Sequence, residues 1–216
     1  LTTILQSSSA TTVMLVGLIN AGMMNFQQSI GIIYGANIGA TTTPQIVAFK
    51  LTDYAIFFIG AGFIIMSFSK NKRQKFIGEI CLGFGLLFYG LKIMSDVMYP
   101  MRSYPPFIEY IKRLENPVAA VLTGAIFTAL IQSSGAAISI FLALAFQGIL
   151  PLKAAIPLTL GANIGTCITA WLASMSGGAE GKRAAWAHIY FNILSTIIFL
   201  PVLPQFQRFV EFIGGG

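Results

Sequence analysis

Two short polar runs sit in otherwise apolar surroundings, and both occur twice. Gln6-Ser7-Ser8-Ser9-Ala10 returns as Gln132-Ser133-Ser134-Gly135-Ala136, and Gly35-Ala36-Asn37-Ile38-Gly39 returns unchanged as Gly161-Ala162-Asn163-Ile164-Gly165. Both pairs are offset by 126 positions, and residues 1–43 laid on 127–169 share 14 identities without a gap. Such a duplication marks two copies of one structural unit. The residue types define the chemistry. A non-helical tip exposes the N–H groups of a helix start and the positive end of its dipole, which suit an anion. Serine hydroxyls can donate to that anion or turn a lone pair toward a hard cation such as sodium, and Gln6 and Gln132 each offer a donor and an acceptor. Ser-rich segments also serve as plain turns or interhelix bonds. Two copies at one spacing argue against that reading for both.

Other chemistries find little support. There is no Walker A pattern, no pair of catalytic carboxylates and no cysteine or histidine cluster with metal spacing. Cys81 and Cys167 lie in apolar segments and read as buried thiols. His188, in Arg183-Ala-Ala-Trp-Ala-His188-Ile-Tyr-Phe-Asn192, reads as a satisfied core histidine in preference to a proton relay. An intramembrane serine hydrolase using Ser133 or Ser134 with His188 is the enzymatic alternative. Such enzymes favour glycine two positions before the serine, where Gln132 precedes Ser134, and the first copy has no matching histidine. The chain is therefore not expected to be an enzyme.

The elements that must carry these residues follow from composition. Of 216 residues, 56% are hydrophobic and only 9% charged, against about a quarter charged in soluble domains. Residues 1–49, 118–152 and 154–179 carry no charge at all. A soluble globule, a disordered chain, a collagen and a disulfide mini-protein are excluded. Several stretches exceed the roughly 18 apolar residues of a spanning helix, which makes this an all-α polytopic membrane protein, multi-pass in the cell (inner or plasma) membrane. The net charge of +6 belongs to loops and does not argue for nucleic acid.

As one helix, residues 1–49 would be about 74 Å long, more than twice the hydrocarbon core, so the segment must break. The breaks are expected around 20–29 and at Gln6-Ser7-Ser8-Ser9. Spans are expected at about 30–50, 53–69, 76–98, 154–175 and 184–203, with a basic loop at 70–75 and a Gly-rich loop at 176–181. Residues 107–114 alternate apolar and charged faces at helical spacing and read as a short helix on the membrane surface. The apolar stretch 117–150 is split by its polar centre, Gln132-Ser133-Ser134-Gly135, into two short arms. If it dips in and returns, the two copies are inverted; if it crosses, they are parallel. The split favours inversion, and inverted repeats with broken helices near the midplane are a transporter arrangement. Two inverted repeats are thus expected, each with a re-entrant hairpin (Gln-Ser-Ser tip) and a broken transmembrane helix. The division is 1–98 for the first repeat with its connecting spans, 99–116 for an interfacial linker and 117–216 for the second repeat. The first copy has no counterpart of residues 116–130, so a leading helix is expected ahead of Leu1 in the natural protein.

Gly31, Gly35 and Gly39, like Gly161 and Gly165, stand four apart and read as close helix-packing positions. Asn37 and Asn163, polar amides in mid-membrane, are functional candidates by default. The duplicated Gln-Ser-Ser runs, the Gly-Ala-Asn-Ile-Gly repeats and the trailing Arg-x-Ala-x-x-His-x-x-Phe-Asn together resemble the type II sodium/phosphate cotransporter family, in a short bacterial form. The resemblance covers essentially the whole chain. It implies sodium-coupled symport of inorganic phosphate by alternating access, with sodium as coupling ion, no other cofactor and no transition metal. It further implies phosphate ligands at Gln6, Ser7, Ser8, Ser9, Asn37, Gln132, Ser133, Ser134 and Asn163. Sodium ligands would be Gln6, Ser9, Asn37, Thr41, Gln132, Asn163 and Thr166. Partners would be phosphate, sodium and the bilayer, with a homodimer compatible with the architecture. Three departures each remove an oxygen: Gly135 for a third serine, Ala40 for a threonine and Cys167 for a hydroxyl. A transporter of the same build for a dicarboxylate or sulfate is the alternative.

Charge does not orient the chain. Lys50, Arg102, Lys112, Arg113, Lys153 and Arg208 on one side face Lys70, Lys72, Arg73, Lys75, Lys182 and Arg183 on the other, an even balance under the positive-inside rule. The resemblance would put the 70–75 loop outside.

Overall fold

The computed structural model describes residues 1–49 and 51–214. Lys50, one of the loop cations above, and the last two glycines of the expected second repeat lie outside the described residues. The helices run in order α1 (Thr2–Leu5), α2 (Ser8–Asn20), α3 (Phe26–Gly39), α4 (Thr42–Ala48), α5 (Ala55–Phe68) and α6 (Lys72–Met98). They continue as α7 (Pro105–Arg113), α8 (Pro117–Ile131), α9 (Ser134–Phe146), α10 (Leu152–Ser174), α11 (Ala179–Phe199) and α12 (Leu203–Gly214). No strand occurs among the described residues. Four helical stretches are long and apolar enough to cross a membrane: residues 51–68, 72–103, 152–174 and 179–214. The protein is an all-α, multi-pass membrane protein.

Local sequence explains most boundaries. Asn25 and Gln28 form a reciprocal capping box at the start of α3. Asn71 caps α6 by accepting from the Arg73 N–H at 3.0 Å, so the helix begins inside the basic run expected as a loop. Asn116 caps α8, where Pro117 takes the first helical position. After α2 and α9 the chain turns on Gly22 (φ +70) and Gly148 (φ +69), positions that correspond in the duplication. The left-handed backbone there favours glycine. α7 is short and amphipathic, with Ile111 buried, and meets α8 at a bend of 112°. The expected Gly-rich loop is shorter than thought, because α11 starts at Ala179.

The expected span at 30–50 is corrected: helix begins at Phe26, stops at Gly39 and resumes at Thr42. Pro44 accounts for the stop, since it has no N–H for the Ala40 carbonyl and its ring would crowd that group. In the second copy the corresponding residue is Ala170, and α10 runs unbroken from Leu152 to Ser174. Pro157 inside α10 falls early in the helix, where only the bond to Lys153 is lost. A broken helix in each copy was expected; the second copy's helix is continuous.

The packing that frames the site is built on glycine. A Cβ on Gly161 would strike the Val121 carbonyl, one on Gly165 the Ala125 carbonyl, and one on Gly124 the Leu158 carbonyl, so α8 and α10 touch backbone to backbone. The same closeness joins α5 to α6 through Gly62 and Gly78. Gly39 lies against Thr2 and Thr3 of α1, but a Cβ on Gly31 or Gly35 would meet no other element within 4 Å, which corrects their reading as packing positions. The principal core, with Phe141, Leu144, Leu158 and Ala162, lies among α8, α9 and α10 and is closed by Ile111 and Leu114.

Candidate functional site

The two Gln-Ser-Ser runs adopt one local geometry. Gln6 ends α1 at φ 53°, ψ 25°, and Gln132 ends α8 at φ 60°, ψ 22°. They are the non-glycine residues with positive φ among those described, a conformation that costs an L-residue about 1–2 kcal/mol. Backbone strain of this kind persists where surrounding structure holds it, often at ligand sites. Ser7 and Ser133 follow in extended conformation and cap the next helices, accepting from Ala10 N–H at 3.1 Å and Ala136 N–H at 3.2 Å. The N–H groups of Ser8, Ser9, Ser134 and Gly135 lie in the first turns of α2 and α9 and have no intrahelical acceptor.

Both breaks line one pocket of about 60 Å³, together with Ala40 and Thr43. That volume exceeds the roughly 10–15 Å³ needed to hold one water, so the pocket admits a small polar ligand. The copies touch directly: the Ser9 hydroxyl donates to the Gln132 carbonyl at 3.4 Å. Thr43 donates to Gln6 Oε1, and its methyl faces Gly135. The residues lining the pocket include no lysine, arginine or histidine. Two helix starts and a ring of hydroxyls and amides make a polar, uncharged cradle with anion-favouring polarity.

The expected site residues divide. Gln6, Ser7, Ser8, Ser9, Gln132, Ser133 and Ser134 share the pocket just described. Asn37, Thr41 and Asn163 line a neighbouring pocket of about 360 Å³, which shares Ala40 with the first. Within it Asn37 Nδ2 is buried without a hydrogen-bond partner among the described residues. Thr166 is buried and donates to the Ala162 carbonyl at 2.8 Å, and it lines neither pocket. Thr43 also lines the pocket; the mid-membrane polar run Thr41-Thr42-Thr43 makes it a functional candidate from sequence, although the ligand set implied by the resemblance does not include it. Thr43 and Thr169 match in the duplication. Cys167 is buried, as expected, whereas Cys81 is only half-buried. His188 is 2% exposed, but its Nδ1 has no partner among the described residues, so it is not a satisfied histidine. No hydrogen bond joins His188 to Ser133 or Ser134 among the described residues.

A multi-pass helical membrane protein with a neutral polar pocket between duplicated helix breaks has the build of a transporter. The family model for the Na+/Pi-cotransporter matches residues 1–96 and 107–212. The chain belongs to that family, whose members are transporters rather than enzymes. It is 35% identical over 211 residues to the uncharacterized YqeW protein of Bacillus subtilis, covering 97% of this chain and 68% of that one. It is 26% identical over 201 residues to YjbB of Escherichia coli, whose provisional name is that of an inorganic phosphate export protein, covering 93% of this chain and 37% of that one. It is 32% identical over 137 residues to human sodium-dependent phosphate transport protein 2B, covering 58% of this chain and 20% of that one. The chain thus spans about two thirds of the Bacillus relative and well under half of the other two. No solved structure matches the chain.

Proposed function

We propose that the chain transports inorganic phosphate with sodium, by alternating access of one site between the two Gln-Ser-Ser breaks. The observation that carries this reading is the single pocket that both breaks line. The first-turn N–H groups and the hydroxyls of Ser7, Ser8, Ser9, Ser133 and Ser134 hold the anion, with the amides of Gln6, Gln132, Asn37 and Asn163. Sodium takes oxygen from Gln6, Ser9, Asn37, Thr41, Gln132 and Asn163; Thr166, bonded to the Ala162 carbonyl and lining neither pocket, does not join them. Asn37 and Asn163, which line the adjoining pocket, serve both ligands in this reading.

The two repeats, 1–98 and 117–216 with the linker 99–116, are inverted, and each break is the tip of a re-entrant hairpin. What supports this is the far end of the second hairpin. Pro117 and Lys153, which bracket the Gln-Ser-Ser segment, line one pocket with Leu200 and Arg208. Two ends lining one pocket are what a segment that returns to its starting side would give.

Phosphate is favoured over the alternative anions on size and on protons. A pocket of about 60 Å³ suits a compact tetrahedral anion better than an extended four-carbon dicarboxylate. Sulfate fits, but protonated phosphate can also donate, and the pocket offers acceptors in the serine oxygens and the Gln132 carbonyl. The test is radiolabelled phosphate uptake into proteoliposomes with and without an imposed sodium gradient, with sulfate and succinate as competitors. Gradient-driven uptake that resists both competitors is expected. Uptake indifferent to sodium, or abolished by succinate, would overturn the reading.

A further inference from the structure

A second pocket, of about 460 Å³, lies at the elbow between α11 and α12 and has no part in the transport site. Four charged residues line it: Glu115 just before α8, Lys153 in the first turn of α10, and Arg208 and Glu211 on α12. Among the described residues none of the four forms an ion pair, since the two salt bridges found are Glu109–Arg113 and Glu180–Arg183. Gln207 also lines the pocket. It is only 8% exposed, and its side-chain amide has no hydrogen bond among the described residues. The residue is buried as a whole, while its amide atoms keep access to the pocket. A free amide that opens into a pocket flanked by unpaired charges of both signs is poised for a ligand.

The surroundings say what kind of ligand. α12 exposes Phe209, Phe212 and Ile213 to 58%, 85% and 67%, yet also carries Arg208 and Glu211. That combination belongs to a helix lying along the boundary between hydrocarbon and water. The pocket's remaining wall is apolar, formed by Pro117, Leu200, Leu203 and Pro204. A ligand here meets two cations, two carboxylates, a free amide and an acyl-compatible surface at headgroup level.

We infer that this pocket binds a zwitterionic aminophospholipid, phosphatidylethanolamine in the first instance. Lys153 and Arg208 hold the lipid phosphate, Glu115 and Glu211 accept from its primary ammonium, and Gln207 completes the headgroup contacts. An acyl chain runs down over Leu200 and Pro204. The carboxylates set the selectivity. A choline headgroup has no N–H to give them, and a glycerol headgroup leaves the lipid anionic beside two acids.

Native mass spectrometry of the delipidated protein, titrated with palmitoyl-oleoyl phosphatidylethanolamine, phosphatidylcholine or phosphatidylglycerol, tests this. A charge-assisted hydrogen bond is worth about a tenfold preference, so phosphatidylethanolamine should be retained about ten times better than either other lipid. Glu115→Gln with Glu211→Gln should erase that preference while retaining phosphatidylglycerol. Lys153→Gln with Arg208→Gln should lower retention of all phospholipids. The four positions are exposed, so both double variants should keep the parent melting temperature. Equal retention of the three lipids by the parent would overturn the inference. So would a carboxylate double variant that still prefers phosphatidylethanolamine.

Discussion

Replacing sodium by choline should weaken phosphate binding by about 30- to 150-fold, and the size of that effect follows from the charges around the pocket. Phosphate carries about −1.5 charges near neutral pH. The lining residues contribute no cationic side chain. The starts of α2 and α9 supply about half a positive charge each, which leaves about half a negative charge uncompensated in a partly enclosed site. Burying an uncompensated charge is unfavourable, and arginine, the usual protein answer to phosphate, is absent from the lining. A sodium ion about 4 Å from the anion, at an effective dielectric near 20, attracts one unit of charge by about 4 kcal/mol. Part of that is lost in stripping water from the cation. A net coupling of about 2–3 kcal/mol remains, within the usual range for linked sites and equal to the stated factor. The same factor must appear in sodium affinity when phosphate is added, because linkage is reciprocal. Isothermal titration of phosphate into the purified protein, in sodium chloride and then in choline chloride at matched ionic strength, measures it. Equal affinity in the two salts would refute the charge reasoning, even if the family membership stands.

Gln6→Gly and Gln132→Gly should each abolish phosphate transport while leaving thermal stability unchanged or raised by up to about 1 kcal/mol. Glycine relieves the left-handed backbone and removes the amide; uptake and melting temperature, measured on the same preparation, separate the two effects. Pro44→Ala should let α3 run into α4, draw Thr43 away from Gln6 and cut the initial rate of phosphate uptake severely. A parent-like rate would show that the break is not needed. Gly161→Ala should destabilise the protein by about 1–3 kcal/mol, because the added methyl meets the Val121 carbonyl. Gly31→Ala, with nothing within 4 Å, should be neutral or stabilise by up to about 1 kcal/mol in the same thermal denaturation assay.

Much of this protein is legible without coordinates because its signals are local. A Gln-Ser-Ser run after an apolar arm ends one helix and caps the next within four residues, so both breaks could be read from sequence. Capping asparagines, the turn glycines and the charge-free stretches act over similarly short distances, and they decided helix boundaries and the membrane class. The duplication at an offset of 126 positions then tied the two breaks together as one kind of element. Which groups face each other was decided elsewhere. That Ser9 reaches the Gln132 carbonyl depends on how α2, α8 and α10 pack, and the contacts that set this are backbone approaches at Gly124, Gly161 and Gly165. Gly31 and Gly35 have the same spacing and make no such approach, because no helix comes within reach of that face. Pro44 breaks one copy while α10 stays whole, which brings Thr43 into the tip pocket. Asn37 and Asn163 instead line the pocket beside it. Periodicity can assign a residue to a helix face, but only the packed helices decide what that face meets.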